Sequence, residues 1–450
     1  MNTENLQNIF KAYDVRGKVS TELTVESVKT IGQAFAQWLP EDGAVVVGRD
    51  MRPDSAELAD ALIAGLTEQG RNVIDIDQVT SDMIYFATGS LKLAGGVMIT
   101  ASHNPGEYNG IKFCREDAKP VGQESGLFDV RDLAIANDFS AAETKGIVET
   151  KDVSEAWIEH VLSFIDATKL APLHIAVDAG NGMAGKIFPE LEPYVPWDVE
   201  ELYFELDGTF PNHEANPLKF ETLADLIALI KEKNLAGGIA FDGDGDRAFL
   251  VDETGVVLTG NIMNALLGDY FLTLHPGSKI LYDLRSSHTV PEVITEHGGE
   301  AIRTRVGHSF IKQIMRETNA PFGGEVSGHF YFRDNYYADS GIIAAVIGLY
   351  AAGLTGKKLS ELRELYTRYP IIDETNFVVP DTQAVLAKLK ETFSDGKQDE
   401  LDGLTVEFEN GSWFNVRASN TEPVIRLNAE AKDQDTLNTL VSSVTNLIES

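Results

Sequence analysis

Short apolar runs that end in aspartate occur three times in this chain, at 45–50, 175–178 and 280–283. A second apolar run follows each one and leads into a polar loop. Between these runs, apolar residues recur at three- and four-residue steps, the spacing of one face of an α-helix. Strands that alternate with helices are typical of βα units with parallel or mixed sheets. The repeat therefore predicts three related α/β domains, each with a loop at the carboxyl end of a strand, where open α/β sheets bind ligands.

The remainder of the chain, from about residue 371, follows another order: strand, helix, three strands, helix. We expect a small α+β domain there, and domain limits at 1–150, 151–253, 254–370 and 371–450. The predicted strands before that point are 44–48, 96–100, 174–178, 238–242, 279–283 and 301–305. The predicted helices there are 25–39, 57–69, 220–233 and 309–317. In the last domain the predicted helices are 382–393 and 433–448, and the predicted strands are 404–409, 412–417 and 424–429.

Charge and cysteine content narrow the function classes. The chain has 450 residues and a net charge of −33. Because binding to nucleic acid or an anionic membrane needs a basic surface, this charge argues against both as main partners. Cys114 is the single cysteine, so an intrachain disulfide is excluded, and residues 1–8 lack the pattern of a secretory signal. The apolar run 341–354 is too short to span a bilayer and predicts a buried helix. We expect a cytoplasmic protein that binds neither nucleic acid nor membrane.

The first polar loop is Thr-Ala-Ser-His-Asn-Pro at 100–105. We predict a buried strand at 95–99 that Pro105 ends, which leaves Ser102 and His103 at its tip. A serine can accept a phosphoryl group where a base, a metal or a positive field stabilises its oxygen. A polar turn, in which Ser and Asn bond their own backbone, explains the same hexamer equally well. The Gly-x-Ser-x-Gly elbow of lipase-like hydrolases is missing, so that class is disfavoured.

The second loop places Asp242, Asp244 and Asp246 at alternate positions with glycines between them. Three neighbouring carboxylates repel one another unless a cation lies among them, and hard oxygen ligands suit Mg²⁺ or Ca²⁺. An EF-hand is the calcium alternative, because Glu253 completes its spacing. Against it, Arg247 stands where that loop needs glycine, and the flanks are predicted strands rather than helices. We therefore favour one Mg²⁺ whose remaining positions are open to phosphate oxygens, such as those of a phosphate on Ser102.

The third and fourth loops offer groups for a sugar and an anion. In the segment at 323–329, Glu325, Ser327 and His329 lie at alternate positions, and on an extended segment they would point the same way. A carboxylate and a hydroxyl could then hold sugar hydroxyls beside an acid or base; an ordinary glycine-rich turn is the alternative. The polar residues of the fourth loop are Arg417, Ser419, Asn420 and Thr421. They could bind an anion through the guanidinium, the side-chain donors and the backbone N–H groups, or form an ordinary polar hairpin turn.

Other basic residues have weaker cases. Arg16 lies close to Tyr13 in the segment 10–17, and Lys112 follows the first loop, but each alone is more often a solvated surface group. Arg247 directly follows the acidic run and either reaches a ligand or balances the carboxylates. No feature of the sequence assigns a role in the site to Arg49, Arg52 or Arg426.

Taken together, these four loops resemble the α-D-phosphohexomutase superfamily, in the family's order and near its spacing, over the whole chain. The segment 10–17 and the Glu-Val-Ser-Gly-His loop are similar to the phosphomannomutase/phosphoglucomutase group. The Thr-Asp-Gly segment with which phosphoglucosamine mutases usually open is missing. The resemblance implies an α/β protein with three related mixed α/β domains plus a smaller C-terminal α+β domain around a central cleft.

The resemblance also implies roles for single residues. Ser102 matches the serine that carries phosphate in the resting enzyme. The implied ligands of one Mg²⁺ per chain are Ser102, Asp242, Asp244 and Asp246. The residues implied to assist proton movement are Lys112, His329 and Arg16. The residues implied to bind substrate are Tyr13, Arg247, Arg285, His308, Glu325, Ser327, Arg417, Ser419, Asn420 and Thr421.

The implied reaction is the reversible conversion of mannose 6-phosphate and mannose 1-phosphate, and of glucose phosphates as well, by an isomerase of nucleotide-sugar and carbohydrate metabolism. It proceeds through phospho-Ser102 and a hexose 1,6-bisphosphate, which also serves as activator. The cleft's Arg and Lys residues would form the local basic site that an acidic chain needs for these dianions. We expect a monomer or weak homodimer. The alternatives are a phosphoglucosamine mutase, a phosphoserine-type phosphatase and a non-catalytic calcium-binding protein.

Overall fold

The computed structural model describes residues 3–418 and 424–450, and within them the strands form four sheets that follow one another along the chain. The elements of the first sheet and its helices are α1 (Thr3–Ile9), β1 (Val15–Lys18), α2 (Val25–Trp38), β2 (Val45–Arg49), α3 (Ser55–Glu68), β3 (Val73–Gln78), α4 (Ser81–Ser90), β4 (Gly95–Ile99), β5 (Tyr108–Arg115), β6 (Lys119–Pro120), α5 (Leu127–Ala136) and β7 (Val148–Thr150). Those of the second are α6 (Ser154–Leu162), β8 (Leu173–Asp178), α7 (Ala184–Leu191), β9 (Trp197–Leu202), α8 (Ala224–Lys233), β10 (Gly237–Phe241), β11 (Ala248–Asp252) and β12 (Val257–Leu258).

The second half of the chain builds the other two sheets. The elements of the third are α9 (Gly260–Leu274), β13 (Lys279–Asp283), α10 (Thr289–Glu296), β14 (Glu300–Thr304), α11 (His308–Thr318), β15 (Phe322–Gly324), β16 (Phe330–Phe332), β17 (Ala338–Asp339), α12 (Gly341–Thr355) and α13 (Leu359–Leu365). Those of the fourth are β18 (Thr375–Val378), α14 (Thr382–Thr392), β19 (Lys397–Asp399), β20 (Leu404–Glu407), β21 (Trp413–Ala418), β22 (Val424–Glu430) and α15 (Gln434–Ile448). The predicted elements agree closely with these bounds, except that 220–223 forms a 3₁₀ turn before α8.

The first three sheets share one arrangement. The strand orders are β1-β5-β4-β2-β3-β7 with β6 beside β5, then β12-β11-β10-β8-β9, and then β14-β13-β15-β16-β17. In each, a central strand (β2, β8 or β13) lies parallel to both of its neighbours. One neighbour (β4, β10 or β15) then turns back into an antiparallel strand. Each of the first three polar loops found in the sequence lies in the turn of this hairpin, so three equivalent positions carry the candidate chemistry.

The aspartates that mark the sequence repeat have a common structural role. Asp50, Asp178 and Asp283 are buried at the carboxyl ends of the three central strands. Each carboxylate accepts a hydrogen bond from the backbone N–H two residues later, at 3.0, 2.9 and 2.7 Å. An aspartate bonded in this way fixes the first turn after a strand. The repeat therefore specifies how the chain leaves the edge of the sheet on which the loops lie.

One apolar core joins the first three sheets, whereas the fourth sheet has its own. The shared core is centred on α12, whose residues 341–352 are all buried, as predicted for this run. The other face of the first sheet packs on α2 and α3 in a separate core. The fourth sheet packs on α14 and α15, with the order β18-β22-β21-β20-β19. The predicted three α/β units and one α+β unit are thus present.

Polar contacts connect the fourth sheet to the third. Arg303 forms an ion pair with Asp399. Glu430, which is buried, accepts hydrogen bonds from the backbone N–H of His288 at 3.0 Å and from the indole of Trp413 at 3.1 Å. Interfaces of this polar kind, between units with separate cores, allow relative motion more readily than a shared apolar core does.

The helices of the described ranges bear on whether the chain could cross a membrane. Taken singly, none of these helices combines the length and apolar character needed to cross a bilayer. The helices α12 and α13, which are bent by 90° relative to each other, are long and apolar enough only when they are counted together. Most of α12 is buried inside the protein core.

The close contact of α2 with α3 depends on glycine. A Cβ at Gly65 would lie 2.1 Å from the carbonyl oxygen of Lys29. We expect Gly65→Ala to lower the free energy of unfolding by about 1–3 kcal/mol, because the two helices must separate. Gly353→Ala in α12 is the matched control, since its Cβ would meet Ala171 at an ordinary 3.5 Å. Urea unfolding measures both, and equal stability of the two variants would contradict the prediction.

Candidate active site

Ser102 lies in the turn between β4 and β5 with a left-handed backbone, φ 50°. That conformation costs about 1–2 kcal/mol for a residue with a Cβ, so the surroundings must hold it. Arg52, buried beneath the loop, does so with its guanidinium. It donates hydrogen bonds of 2.5–2.8 Å to the carbonyl oxygens of Ser102, Asn104, Pro105 and Tyr108. Arg52 had no case from the sequence, yet it anchors the whole loop.

The hydroxyl of Ser102 meets the acidic loop of the second sheet. Its Oγ donates to Asp242 Oδ2 at 2.7 Å and lies 3.2 Å from Nδ1 of His103. Arg247 lies 2.5 Å from the same nitrogen through Nη2 and donates to Asp242 through Nε at 2.9 Å. Burial lowers the pKa of His103 well below its ordinary value, and the charge of Arg247 lowers it further. The serine oxygen therefore lies between a carboxylate and a neutral imidazole, beside a guanidinium.

The turn between β10 and β11 gathers three buried carboxylates. Asp242, Asp244 and Asp246 each place an oxygen within 4.8 Å of the others. Burial raises the pKa of Asp242 to about 7 against the opposing charge of Arg247, and the two neighbouring aspartates add to the rise. Oδ1 of Asp244 and Oδ1 of Asp246 are buried with no hydrogen-bond donor among the described residues. Hard oxygens without donors fit a divalent cation, and the strands on both sides exclude an EF-hand.

Side chains of the first sheet and its helices complete the surroundings of these carboxylates. Lys112 Nζ, from β5, lies 2.7 Å from Asp244 Oδ2 and 2.6 Å from Asp246 Oδ2. Ser81, at the start of α4, donates to Asp244 at 2.6 Å. Burial lowers the pKa of Lys112, but the two aspartates outweigh it, and that pKa lies well above its ordinary value. Lys112 is thus a cation that offsets charge in this cluster.

A cavity of about 260 Å³ opens in front of Ser102. On one side Arg16 donates to the side chain of Asn104 at 2.9 Å. On another, the rings of Tyr13 and His308 meet edge to face with centroids 5.2 Å apart. The predicted residues that line the cavity are Tyr13, Arg16, Ser102, Lys112, Asp246, Arg247, His308 and His329.

Besides His103, two histidines line the cavity, and they differ in charge. Burial lowers the pKa of His308 to about 3, and nearby Lys312 lowers it further, so His308 is neutral. Burial also lowers the pKa of His329, but Asp246 and Asp339 outweigh it, and that pKa lies above its ordinary value. Its Nδ1 lies 2.9 Å from Asp339, whose other oxygen pairs with the fully buried Lys312 at 2.7 Å. His329 is therefore the histidine of the cavity that holds a transferable proton.

The predicted extended segment through Glu325, Ser327 and His329 is wrong. Because β15 and β16 form a short hairpin, the chain must reverse direction here. The backbone N–H of Glu325 donates to the carbonyl of His329 at 2.9 Å, and Gly328 has φ 87°. The Glu325 carboxylate turns inward and accepts from the hydroxyl of Tyr331 at 2.7 Å. Ser327 is half-buried, and His329 faces the acidic loop instead of sharing a side with Glu325.

A second group of predicted residues gathers where the third and fourth sheets meet. Arg285, 7% exposed, is held by Asp283 at 2.8 Å and lies 3.9 Å from Glu325. Arg417, at the end of β21, pairs with Glu374 at 2.9 Å, and Glu374 lies 3.6 Å from Arg285. Glu374 thus links Arg417 to Arg285, and Arg285 in turn faces Glu325 of the third loop. The remaining predicted residues of the fourth loop lie outside the described residues: Ser419, Asn420 and Thr421.

Family models match this chain in four consecutive parts. Three are the alpha/beta/alpha domains I, II and III of phosphoglucomutase/phosphomannomutase, at residues 7–138, 155–255 and 259–369. The fourth is the C-terminal domain, at 374–447. The chain belongs to the phosphoglucomutase/phosphomannomutase family. That membership confirms the predicted resemblance, the predicted fold class and the predicted enzyme class, an isomerase that moves a phosphoryl group within a hexose phosphate.

Relatives of the phosphoglucomutase/phosphomannomutase family match over almost the full chain. "Phosphohexose mutases" of Xanthomonas campestris pv. campestris (strain B100) is 41% identical over 444 residues, 98% of each chain. The phosphomannomutase of Vibrio cholerae serotype O1 is 39% identical over 457 residues, again 98% of each. A solved family protein from Burkholderia thailandensis has a TM-score of 0.90 at 31% identity, covering 98% of this chain and 97% of that one. The similarity therefore includes all four units.

Sequence reasoning missed the residues of this family site that act through other side chains. His103 stands next to Ser102 in the first loop, so its position was a signal for its contact with the serine. No signal in the sequence pointed to Lys312 or Asp339, because a lysine on an amphipathic helix and an aspartate before a helix are ordinary surface patterns. No pattern marked Glu374 either, since its partners come from β21, β22 and the residues that follow β13. The roles predicted for single residues stay predictions.

Arg52→Lys tests the anchor of the Ser102 loop. One ammonium group cannot reach four carbonyl oxygens, so the loop should lose its position although the charge is kept. We expect kcat of the mutase reaction to fall at least about tenfold, the loss of one well-placed interaction of about 1.4 kcal/mol. Arg49→Lys is the control, because Arg49 pairs only with the exposed Asp77 among the contacts that the described residues make. Equal rates for the two variants would contradict the role of Arg52.

Proposed function

We propose that this chain is a phosphomannomutase that interconverts mannose 6-phosphate and mannose 1-phosphate, and glucose phosphates as well, through phospho-Ser102. The observation that carries the proposal is the Ser102 hydroxyl, 2.7 Å from Asp242 in a cluster of three buried carboxylates that can hold a cation. Lys112 and Arg247 beside that cluster would offset the charge of a phosphate on the serine. Relatives named phosphomannomutase support mannose as the sugar.

The acidic turn would hold one Mg²⁺ per chain. The proposed ligands are Asp242, Asp244 and Asp246, joined by an oxygen of phospho-Ser102. The two aspartate oxygens that lack donors among the described residues support this assignment. When bound, Mg²⁺ supplies positive charge that makes a phosphoryl group easier to attack.

The first half-reaction transfers the phosphoryl group to the substrate. The free hydroxyl oxygen of a bound hexose phosphate attacks the phosphorus of phospho-Ser102; the bond from phosphorus to Ser102 Oγ breaks, and a bond to the sugar oxygen forms. The hydroxyl proton passes to a neighbouring group or to water, and the departing Ser102 Oγ takes up one proton in exchange. Lys112, His329 and Arg16 line the cavity from which that proton leaves and are the residues proposed to assist its movement. Lys112 and Arg16 act on it through their charge, and His329 can give its own proton to the departing Ser102 Oγ. The product is a hexose 1,6-bisphosphate.

The second half-reaction requires the bisphosphate to turn end for end and return its other phosphate to Ser102. Added hexose 1,6-bisphosphate would therefore activate an unphosphorylated enzyme. The proposed holders of the distal phosphate are Arg417, Ser419, Asn420 and Thr421. The proposed holders of the sugar are Tyr13, Arg285, His308, Glu325 and Ser327. Closure of the unit that carries Arg417 would exclude water, which otherwise hydrolyses the phosphoserine.

Further features of the enzyme follow as part of this proposal. The four units have limits at 1–150, 151–253, 254–370 and 371–450, and gaps between the family matches near these positions support them. The enzyme works in the cytoplasm on small hexose phosphates, as a monomer or weak homodimer. The acidic net charge of −33 supports the expectation that nucleic acid is not a partner.

Ser102→Ala tests the phosphoenzyme. Wild-type protein incubated with a hexose 1,6-bisphosphate should gain the mass of one phosphate, and the variant should not. Mutase flux from mannose 1-phosphate should fall by at least about 10³-fold in the variant, because the covalent route is lost. Ser163→Ala, on an exposed helix end, is the control and should keep both properties.

The same assay separates the alternatives. Phosphate release that exceeds mutase flux would indicate a phosphoserine-type phosphatase. Faster turnover of glucosamine 1-phosphate than of mannose or glucose 1-phosphate would indicate a phosphoglucosamine mutase. A wild type that no bisphosphate phosphorylates would overturn the proposed mechanism.

Asp244→Asn tests the metal site. The variant removes one hard anionic oxygen, so Mg²⁺ affinity measured by calorimetry should fall at least about tenfold. Asp77→Asn, on the exposed side of the first sheet, should leave the affinity unchanged. Unchanged Mg²⁺ binding in Asp244→Asn would contradict the assignment, whatever the activity of that variant.

A further inference from the structure

Glu374 lies at the centre of a group of basic side chains. Its carboxylate accepts hydrogen bonds from Arg417 at 2.9 Å, Arg426 at 3.1 Å and Asn428 at 3.2 Å. Arg285 Nη1 lies 3.6 Å from the same carboxylate. The Glu374 side chain is only 24% exposed. One half-buried acid therefore binds two guanidinium groups of the fourth sheet and faces a third from the neighbouring sheet.

The position of Glu374 in the chain makes this arrangement unusual. It directly precedes β18, so it stands on the single passage from the third sheet to the fourth. Arg285 reaches back from it to Glu325, at 3.9 Å, in the loop proposed to hold the sugar. Arg417 leads from it to the loop proposed to hold the distal phosphate. A continuous row of alternating charges thus joins the two ends of the proposed substrate site.

The surroundings of Glu374 favour its charged form. Burial raises the pKa of its carboxyl, but Arg285 and Arg417 outweigh it and bring that pKa down to about 2. Glu374 is therefore an anion throughout the range in which enzymes work. It presents to Arg417 and Arg426 the same chemistry that a phosphate would: anionic oxygens at hydrogen-bond distance.

We propose that Glu374 is a positioning residue that occupies the guanidinium groups of the distal phosphate site when no phosphate is bound, and that competes with the substrate phosphate for them. The inference rests on the proposed function, in which Arg417 holds the phosphate that does not react. The carboxylate keeps the guanidinium groups in place, so the site is formed before the substrate arrives. Its negative charge also opposes a second anion, so the phosphate is held less tightly than the arginines alone would hold it.

A moderate affinity for the distal phosphate suits a mutase. The bisphosphate must leave this site and return with its other end, once in every cycle. Binding that is equally strong in every state lowers KM without raising kcat, and here it would slow the exchange of ends. As the phosphate leaves, the carboxylate again accepts hydrogen bonds from the guanidinium groups, which lowers the free-energy cost of that exchange. Glu374 thereby sets the balance between capture and release.

Glu374→Gln removes the charge and keeps the shape. We expect inorganic phosphate to bind about tenfold more tightly to the variant than to the wild type, both in unphosphorylated form. In the mutase assay KM for mannose 1-phosphate should fall, and kcat should fall with it. Glu374→Asp, which keeps the charge, should restore values close to the wild type. Glu292→Gln is the matched control, because it removes a carboxylate bound to Arg368 and Tyr369 near the same boundary.

A double variant shows which phosphate site responds. The tighter binding of phosphate should disappear when Arg417→Ala is added to Glu374→Gln, because the two residues act on the same anion. Thermal unfolding gives a second readout. In phosphate-free buffer Glu374→Gln should unfold at a lower temperature than the wild type, and added phosphate should raise the melting temperature of the variant more than that of the wild type. Both readouts work without turnover.

Phosphate binding that is unchanged or weaker in Glu374→Gln would overturn the inference, because the carboxylate would then only support the arginines. Tighter binding that survives the addition of Arg417→Ala would also overturn it. Failure of the proposed function would look different. The wild type would lack mutase flux or phosphoserine, while the comparison of phosphate affinities would still give a result.

Discussion

Three buried aspartates on one turn need positive charge from elsewhere in the fold. Asp242, Asp244 and Asp246 obtain it from Arg247 beside them and from Lys112 on β5 of the first sheet. His329 of the third sheet approaches to 3.9 Å. Removing one partner from such a buried group leaves an uncompensated charge and costs about 3–5 kcal/mol, although the intact group adds little net stability. The acidic turn therefore determines how the three sheets are placed around one point.

Most of the fold was predictable because the local signals agree with one another. Each central strand ends at an aspartate that closes the following turn, and each second strand leads into a hairpin whose turn carries polar residues. Helices between them show regular apolar spacing. The serine and the three aspartates were predictable for the same reason, since their residue types have few structural uses at the tip of a buried strand. The structure places Ser102 and Asp242 in direct contact, 140 positions apart in the sequence.

Contacts that depend on tertiary structure were not predictable. Arg52 bonds to carbonyl oxygens of a loop some 50 residues later, and no local pattern marks such an acceptor. The third loop was expected to be extended because its polar residues alternate, but the two strands on either side pair so closely that the chain must turn. Glu374 shows the same limit, since its partners meet only when the fourth sheet packs on the third. Sequence patterns describe what a strand or helix faces, whereas these residues act between elements.

The separate core of the fourth sheet has a consequence for how the enzyme can evolve. Three walls of the cleft share one apolar interior, so a substitution that suits one wall must also suit the other two. The fourth wall has its own interior and meets the rest through ion pairs and hydrogen bonds. Its amino acids can therefore drift with little disturbance to the serine and the acidic turn. Selection for a different hold on the distal phosphate would therefore meet the fewest constraints there, in the unit proposed to bind that phosphate.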